Sequence, residues 1–468
     1  MSAPLHVRPT GVTRPIPSEL LRLALPILAS QALRVSYQWV DALWVRGLGV
    51  EATAAVTTSI FAMWWVYSLN DIVTIGVAAY VSQLLGAGER GRAGLAALKG
   101  LGGSVLLGLV GTVMGLTLTA HICGLMGEHG KVLDSGVAYL RVVLIAAPLP
   151  MMYLTCESIM RSSGDSRTPL LLDLCSVALN ALLAPMMIYG WGPFPRMGIA
   201  GAAWSTVWAQ ALLVAGYLGL ALRRHPAFPL ARRAAGDPVH IRGMAKVGIP
   251  ASLIGMLFSV VYISFVRAAS VFGAAAIAVV GIVNRVESLE YMVAVSIGVA
   301  AATLVGQNLG ARQVERATLA IVTGLRWGMV FSAVLMVPLL GFPGFFIGLF
   351  SHDPEVIRMG VPYLRVVASC ALFNTAELIV AEAVLGSGHT TAISVIFTSI
   401  SLLRIPLTLL VPKWFHSGVV GIAWVITTTC VVRSIIILTW AARGTWKKGL
   451  AGVLQGSTPG VPEPPEGI

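Results

Sequence analysis

Charge is what this chain has least of. Only 11% of its 468 residues are Asp, Glu, Lys or Arg, whereas soluble proteins carry about 25%. That excludes an ordinary water-soluble enzyme. The five cysteines (Cys123, Cys156, Cys175, Cys370 and Cys430) are odd in number and scattered through apolar stretches, with no disulfide framework or metal-ligand spacing. No His-Glu-x-x-His, no Asp-Asp-x-x-Asp and no Ser/His/Asp grouping occurs at membrane depth, so nothing points to a catalytic site. No organic cofactor or metal is expected.

What is present is oil. Hydrophobic residues make up 56% of the chain, mean hydropathy is +0.83, and apolar runs of about 20 residues recur, each able to cross a core of roughly 30 Å. The net charge of +12 is placed in a pattern that argues against nucleic acid. Arg90, Arg92 and Lys99 follow the second run; Arg223, Arg224, Arg232, Arg233, Arg242 and Lys246 follow the sixth. Arg312 and Arg316 follow the eighth, and Arg443, Lys447 and Lys448 the last. Positive charge marks the cytoplasmic side, so a multi-pass cell-membrane protein with both termini in the cytoplasm is predicted. Its basic face would meet anionic lipid headgroups. The stretch "LLRLALPILASQA" resembles a signal peptide, but the same segment type returns in mid-chain, which argues against cleavage.

The chain is written twice. Pro26 pairs with Pro250, Gly49 with Gly273, Gln83 with Gln307 and Gly86 with Gly310, all 224 residues apart. "GVAYLRVV" at Gly136 pairs with "GVPYLRVV" at Gly360, and Trp204 with Trp424 after a short deletion. An all-α membrane protein with twelve transmembrane helices in two pseudo-symmetric six-helix bundles is predicted. The first six spans are expected near 19–46, 54–86, 94–125, 132–162, 168–191 and 197–224. The expected division is a cytoplasmic segment 1–18, an N-terminal lobe 19–224, a basic linker 225–241, a C-terminal lobe 242–443 and a disordered tail 444–468. Each half has an even number of spans, so the repeats are parallel. Two such bundles around a cleft suit alternating access.

One carboxylate stands inside the first oily span, at "SYQWVDALWV". An aspartate at the bilayer centre costs about 2.5–3.5 kcal/mol on insertion scales and is functional by default. Asp41 lies in the outer half of the span, where the cost is lower. Helical spacing puts it a turn from Tyr37 and Trp44 and three residues from Gln38, a polar-aromatic stripe able to line a substrate cleft. Arg34, two turns earlier, stays open: it reaches Asp41, or more simply it snorkels or pairs elsewhere.

Two copies of six spans, the first-span "LP" with an aspartate before "GLG", the "QLLGAG" and "QNLGAR" span ends, and "RSSGDSRTP" after the fourth span resemble the multidrug and toxic compound extrusion (MATE) family. The resemblance covers residues 19 to 443. It implies a V-shaped two-lobed antiporter, acting without nucleic acid and as a monomer, that expels organic cations or lipophilic compounds against H⁺ or Na⁺. In the family the first-span aspartate couples to the cation, and Asp41 matches it. The family site also draws on a fifth-span Asn, an Asp four residues later and a sixth-span Thr, matched here by Asn180, Ala184 and Thr206. With one carboxylate lost, the resemblance leans towards H⁺, since a dehydrated Na⁺ is better served by more anionic oxygens. A carboxyl removed from water favours its neutral form, so it can hold a proton when dry and release it when wetted.

The C-terminal half differs. Phe265 stands at the counterpart of Asp41, while Asn284, Arg285, Glu287, Glu290 and, in the tenth span, Glu377 form a charge network expected either to tie the lobe together or to make a second proton or substrate site. Glu157, with Arg161 one turn on, reads as structural. Pro26 and Pro250 are expected to interrupt their helices. The competing reading is a lipid-linked saccharide or polyisoprenoid flippase of the same superfamily, which needs a basic cleft for phosphate.

Overall fold

The computed structural model describes residues 9–125, 130–231 and 239–450, and nothing but helices and turns occurs among them. The first lobe holds α1 (Ile16–Arg46), α2 (Val50–Gly86), α3 (Arg90–Thr117), α4a (Gly130–Ile145) with α4b (Pro148–Ser162), α5 (Arg167–Tyr189) and α6 (Ile199–Leu222). The second holds α7 (Ile241–Ser270), α8 (Ala274–Gly310), α9 (Val314–Gly341), α10a (Pro354–Ala368) with α10b (Ala371–Leu385), α11 (Thr390–Trp414) and α12 (Val420–Ala442). Parts of the expected linker (232–238) and tail (451–468) lie outside the described residues.

Among the described residues, nine helices are long and apolar enough to span a bilayer, and two more spans are the bent pairs α4a–α4b and α10a–α10b. The twelfth, α1, carries Glu19, Arg22, Arg34, Asp41 and Arg46. Its 31 residues give about 46 Å of helix at 1.5 Å per residue, enough to cross. Charge, not length, sets it apart.

The fourth span, expected near 132–162, bends by 51°. Pro148 has no N–H to give to the preceding turn and its ring crowds it, so the helix restarts there. The tenth span bends by the same 51° without a proline at the break. There Ser369 Oγ donates to Val366 O (2.6 Å) and Cys370 Sγ to Val367 O (3.2 Å), side chains competing for the carbonyls the helix would use. Pro26 and Pro250, expected to interrupt their helices, instead sit inside continuous ones. Bundle packing on both sides holds the turn that each proline weakens.

The halves pack as mirror roles. α1 lies on α5 of its own lobe and on α8 of the other, while α7 lies on α11 and on α2. At one end of the molecule the apolar cores mix lobes: Ile16, Leu20 and Leu23 pack with Leu304, Ala320 and Val384. At the other end each core belongs to one lobe only, as with Val45, Tyr139 and Ile188, or Val279, Leu364 and Ile422. The lobes are therefore joined at one face and separate towards the other, leaving a cleft that opens away from the chain ends.

The joined face is held by pseudo-symmetric crossings. A Cβ on Gly86 would lie 1.9 Å from Gln307 O, and one on Gly310 would lie 1.9 Å from Gln83 O; only glycine lets these backbones meet. Gln83 Nε2 donates to Gly386 O (3.0 Å), and Gln307 Nε2 donates to Ser162 O (2.9 Å). Both glutamines are fully buried.

Candidate functional site

Asp41 stands in the last third of α1, partly buried, on the side where the lobes part. Its carboxylate is within reach of Asn180 on α5 and Thr206 on α6, and is an electrostatic neighbour of Tyr37 and Tyr139. Its Oδ1 is buried within the protein. Three helices of one lobe converge on it.

Asn180 and Thr206 face the Asp41 carboxylate, but the donors of this cluster are shared with other acceptors. Asn180 Nδ2 donates to Tyr37 OH at 3.0 Å and to Ser205 Oγ at 3.3 Å. Ser205 Oγ and Thr206 Oγ1 donate to Ala202 O at 2.8 and 3.1 Å. With the donors shared in this way, Oδ1 of Asn180 and Oδ1 of Asp41 are buried without a hydrogen-bond partner. Lone pairs exceed protons here, and an unpaired buried acceptor costs about 1–3 kcal/mol. A proton or a small cation placed among these oxygens removes that cost. Asn180 is 1% exposed, so bulk water reaches it poorly.

Ala184, where the family resemblance expects a second acid, is fully buried among Val45, Tyr139 and Ile188. Among the described residues the site therefore has one carboxylate. Trp44 is not beside the polar group; Tyr189 OH donates to its carbonyl at 2.6 Å, and its ring packs edge-on against Tyr189 and Trp191 at 6.4 and 6.2 Å. The side chain of Gln38 lies outside the described residues. Tyr67, paired with Gln210, adds a polar wall near Tyr139 that the sequence reading overlooked. Both are polar groups in apolar spans, which was the available signal.

Arg34 is settled by the tertiary structure. Its guanidinium takes both oxygens of Glu157 at 2.5 Å and lies 3.8 Å from Asp173. Arg161 also pairs with Glu157. Two guanidinium groups and two carboxylates thus balance within the lobe, one layer away from Asp41.

In the second lobe the five polar residues read together in the sequence divide. Glu290, 5% exposed, accepts from Thr375 Oγ1 (2.5 Å) and Ser332 Oγ (3.2 Å). Glu287 joins it and Asn374 around a cavity of about 10 Å³, room for roughly one water-sized group. Glu377 belongs to another cluster: Arg433 Nε meets it at 2.5 Å and Ser434 Oγ at 3.0 Å. Arg433 also lies 3.9 Å over the Phe397 ring, and Arg404 donates to Thr429 at 2.8 Å. Arg285 is exposed and Asn284 partly buried. Helical geometry explains the division, since residues two apart, such as Arg285 and Glu287, point to opposite sides. Phe265, opposite in register to Asp41, is core.

One juxtaposition was not visible in the sequence at all. Asp71 on α2 and Glu382 on α10b are electrostatic neighbours across the lobe boundary, with Tyr291 beside both. Among the described residues no group of three or more His, Cys, Asp or Glu is placed to hold a metal ion.

Comparison with known proteins places these features. The sequence pattern of the MatE family matches residues 26–186 and again 250–410. The chain is 26% identical over 438 residues to a "FAD transporter" of Shewanella oneidensis, covering 92% of this chain and 96% of that one. It is 29% identical over 435 residues to a "Probable multidrug resistance protein YoeA" of Bacillus subtilis, covering 90% and 92%. A solved outward-facing conformation of a multidrug resistance MATE family transporter superposes with a TM-score of 0.85 at 19% identity, over 95% of this chain and 98% of that one.

Proposed function

We propose, from the premise that this chain belongs to the MatE family, that it is a secondary active antiporter which exports organic cations or lipophilic compounds in exchange for H⁺ or Na⁺. It is a multi-pass membrane transporter and not an enzyme. The observation that carries the coupling mechanism is the pair of buried, unpartnered acceptors, Oδ1 of Asp41 and Oδ1 of Asn180, with Thr206 beside them.

The positive-inside pattern assigns the joined face, with both chain ends, to the cytoplasm. The cleft then opens outward, and Asp41 sits on its wall. Coupling ion entering from outside fills the acceptor set, and the cost of the unpaired oxygens disappears. The filled lobe packs differently from the empty one, and the change in occupancy biases the two lobe arrangements. With Ala184 in place of a second acid, a proton needs only one carboxylate oxygen, whereas a dehydrated Na⁺ needs several anionic ligands. H⁺ is the favoured ion.

A phosphate-bearing substrate, whether a lipid-linked saccharide or a flavin dinucleotide such as the Shewanella relative's name implies, calls for guanidinium groups facing the cleft. Arg34, Arg161 and Arg433 are bound to carboxylates, which favours cationic or neutral cargo. The test uses everted vesicles loaded by an organic-cation dye, with the H⁺ and Na⁺ gradients collapsed separately. Dye addition should release the coupling ion, and Asp41→Asn should abolish that release. Undiminished, pH-independent exchange by Asp41→Asn removes the coupling role.

A further inference from the structure

The joined face contains more than helix ends. Thr10–Thr13 form one turn before α1 that rests on the other lobe. Gly11 O accepts from Asn308 Nδ2 (3.1 Å) and from Arg316 (3.2 Å), and Arg14 O accepts from Arg316 at 2.6 Å. On its own lobe's side, Thr10 Oγ1 donates to Glu19 (2.5 Å) and accepts from Arg22 (2.8 Å), and Arg22 reaches Gly164 O at 3.0 Å. The seat is tight: a Cβ on Gly11 would lie 2.3 Å from Gln307 Oε1.

The other chain end crosses in the opposite sense. After α12, a short 3₁₀ turn Thr445–Lys448 is anchored by Trp446, 2% exposed, whose Nε1 donates to Ala441 O at 2.9 Å. Leu450 then reaches the first lobe. Its N–H donates to Gln83 Oε1 at 2.9 Å, and its side chain packs with the Val77, Val81 and Leu84 cluster. Gln83 and Gln307, whose amides cross between lobes, are thus each covered by one end of the chain.

We propose that these ends are paired straps that hold the joined face shut, so that reversal of the cleft waits on the release of both. Opening this face breaks the Gln83–Gly386 and Gln307–Ser162 bonds, and a seated strap keeps water from replacing them. Each strap spans both lobes, so the lobes cannot part while it stays in place. The proposal rests on the alternating-access reading above.

The test is hydrogen–deuterium exchange of the full-length protein in lipid nanodiscs, read at backbone amides of residues 84–89 and 308–313. Gly11→Val unseats the first strap, Arg316→Gln weakens it more gently, and Leu450→Asp unseats the second. If the straps govern a shared opening, either release speeds exchange at both segments by about tenfold, and the two together by about a hundredfold, since one to two net hydrogen bonds are lost each time. Faster exchange confined to the substituted seat, or none in either segment, overturns the proposal. The vesicle assay separates the two readings. Wild type without ion-coupled dye efflux removes the exporter reading, whereas seat-confined exchange in efflux-competent protein removes the straps alone.

Discussion

Replacing Glu157 by glutamine tests how this lobe keeps its positive charge away from Asp41. The substitution keeps shape and removes one charge. Glu157 is 3% exposed and holds Arg34, 34% exposed, and Arg161, 14% exposed; the nearest other carboxylate is Asp173, 3.8 Å from Arg34. Losing one partner of a buried pair costs about 3–5 kcal/mol. Because Arg34 is a third exposed and reaches water, screening brings the cost below that range, to about 2–3 kcal/mol. In detergent, tryptophan-monitored melting should fall by about 5 °C. Adding Arg34→Gln removes the stranded charge and should return at least half of the loss, a coupling expected only between groups in one network. Ion coupling should be spared. In Glu157→Gln the nearest carboxylate to Arg34 is Asp173, at 3.8 Å, so Arg34 stays in its own cluster and dye-triggered proton release persists in both variants. Melting of Glu157→Gln at the wild-type temperature, or a double variant that loses the simple sum of two penalties, refutes the reasoning.

The remaining expectations concern the site and the joined face. Asn180→Leu removes the donor to Tyr37 and Ser205 and one of the unpaired acceptors, and should weaken apparent coupling-ion affinity about tenfold, read from the ion dependence of dye efflux. Ala184→Asp buries a new acid in an apolar cluster and should lower stability by about 3 kcal/mol without a cation; melting in Na⁺ against choline should then show Na⁺-dependent recovery, absent in wild type. Gly86→Leu and Gly310→Leu place side chains where a Cβ already lies 1.9 Å from a carbonyl. Both should abolish efflux while far-UV helix content stays at the wild-type level, because the lobes fold but cannot close.

Much of the site was legible before the fold was known, for particular reasons. Asp41, Asn180 and Thr206 stand out as polar groups in oily spans, and the family resemblance supplied their grouping. The fate of Arg34 was not legible. Helical spacing offers Asp41 on the same helix, but a partner on another helix, such as Glu157, has no signature in the spacing of α1. The bend in the tenth span was hidden for a similar reason, since serine and cysteine break a helix only where their side chains turn back onto it. Asn284, Arg285, Glu287 and Glu290 read as one network because they are close in sequence, and Glu377 as a further intramembrane acid of the same lobe; α8 rotates some of the first four apart, and Glu377 faces Arg433 on α12 instead.

The sequence by itself determined the number of spans, their doubling and the presence of one carboxylate in the first. Those properties follow from local length, hydropathy and repetition, which a chain carries whatever its partners. Only the tertiary structure decided which helix each polar face meets: Arg34 with Glu157, Asp71 with Glu382, each glutamine with the opposite lobe, each chain end over a glutamine. Periodicity assigns a residue to a side of its helix, while the identity of the neighbour on that side depends on packing among all twelve.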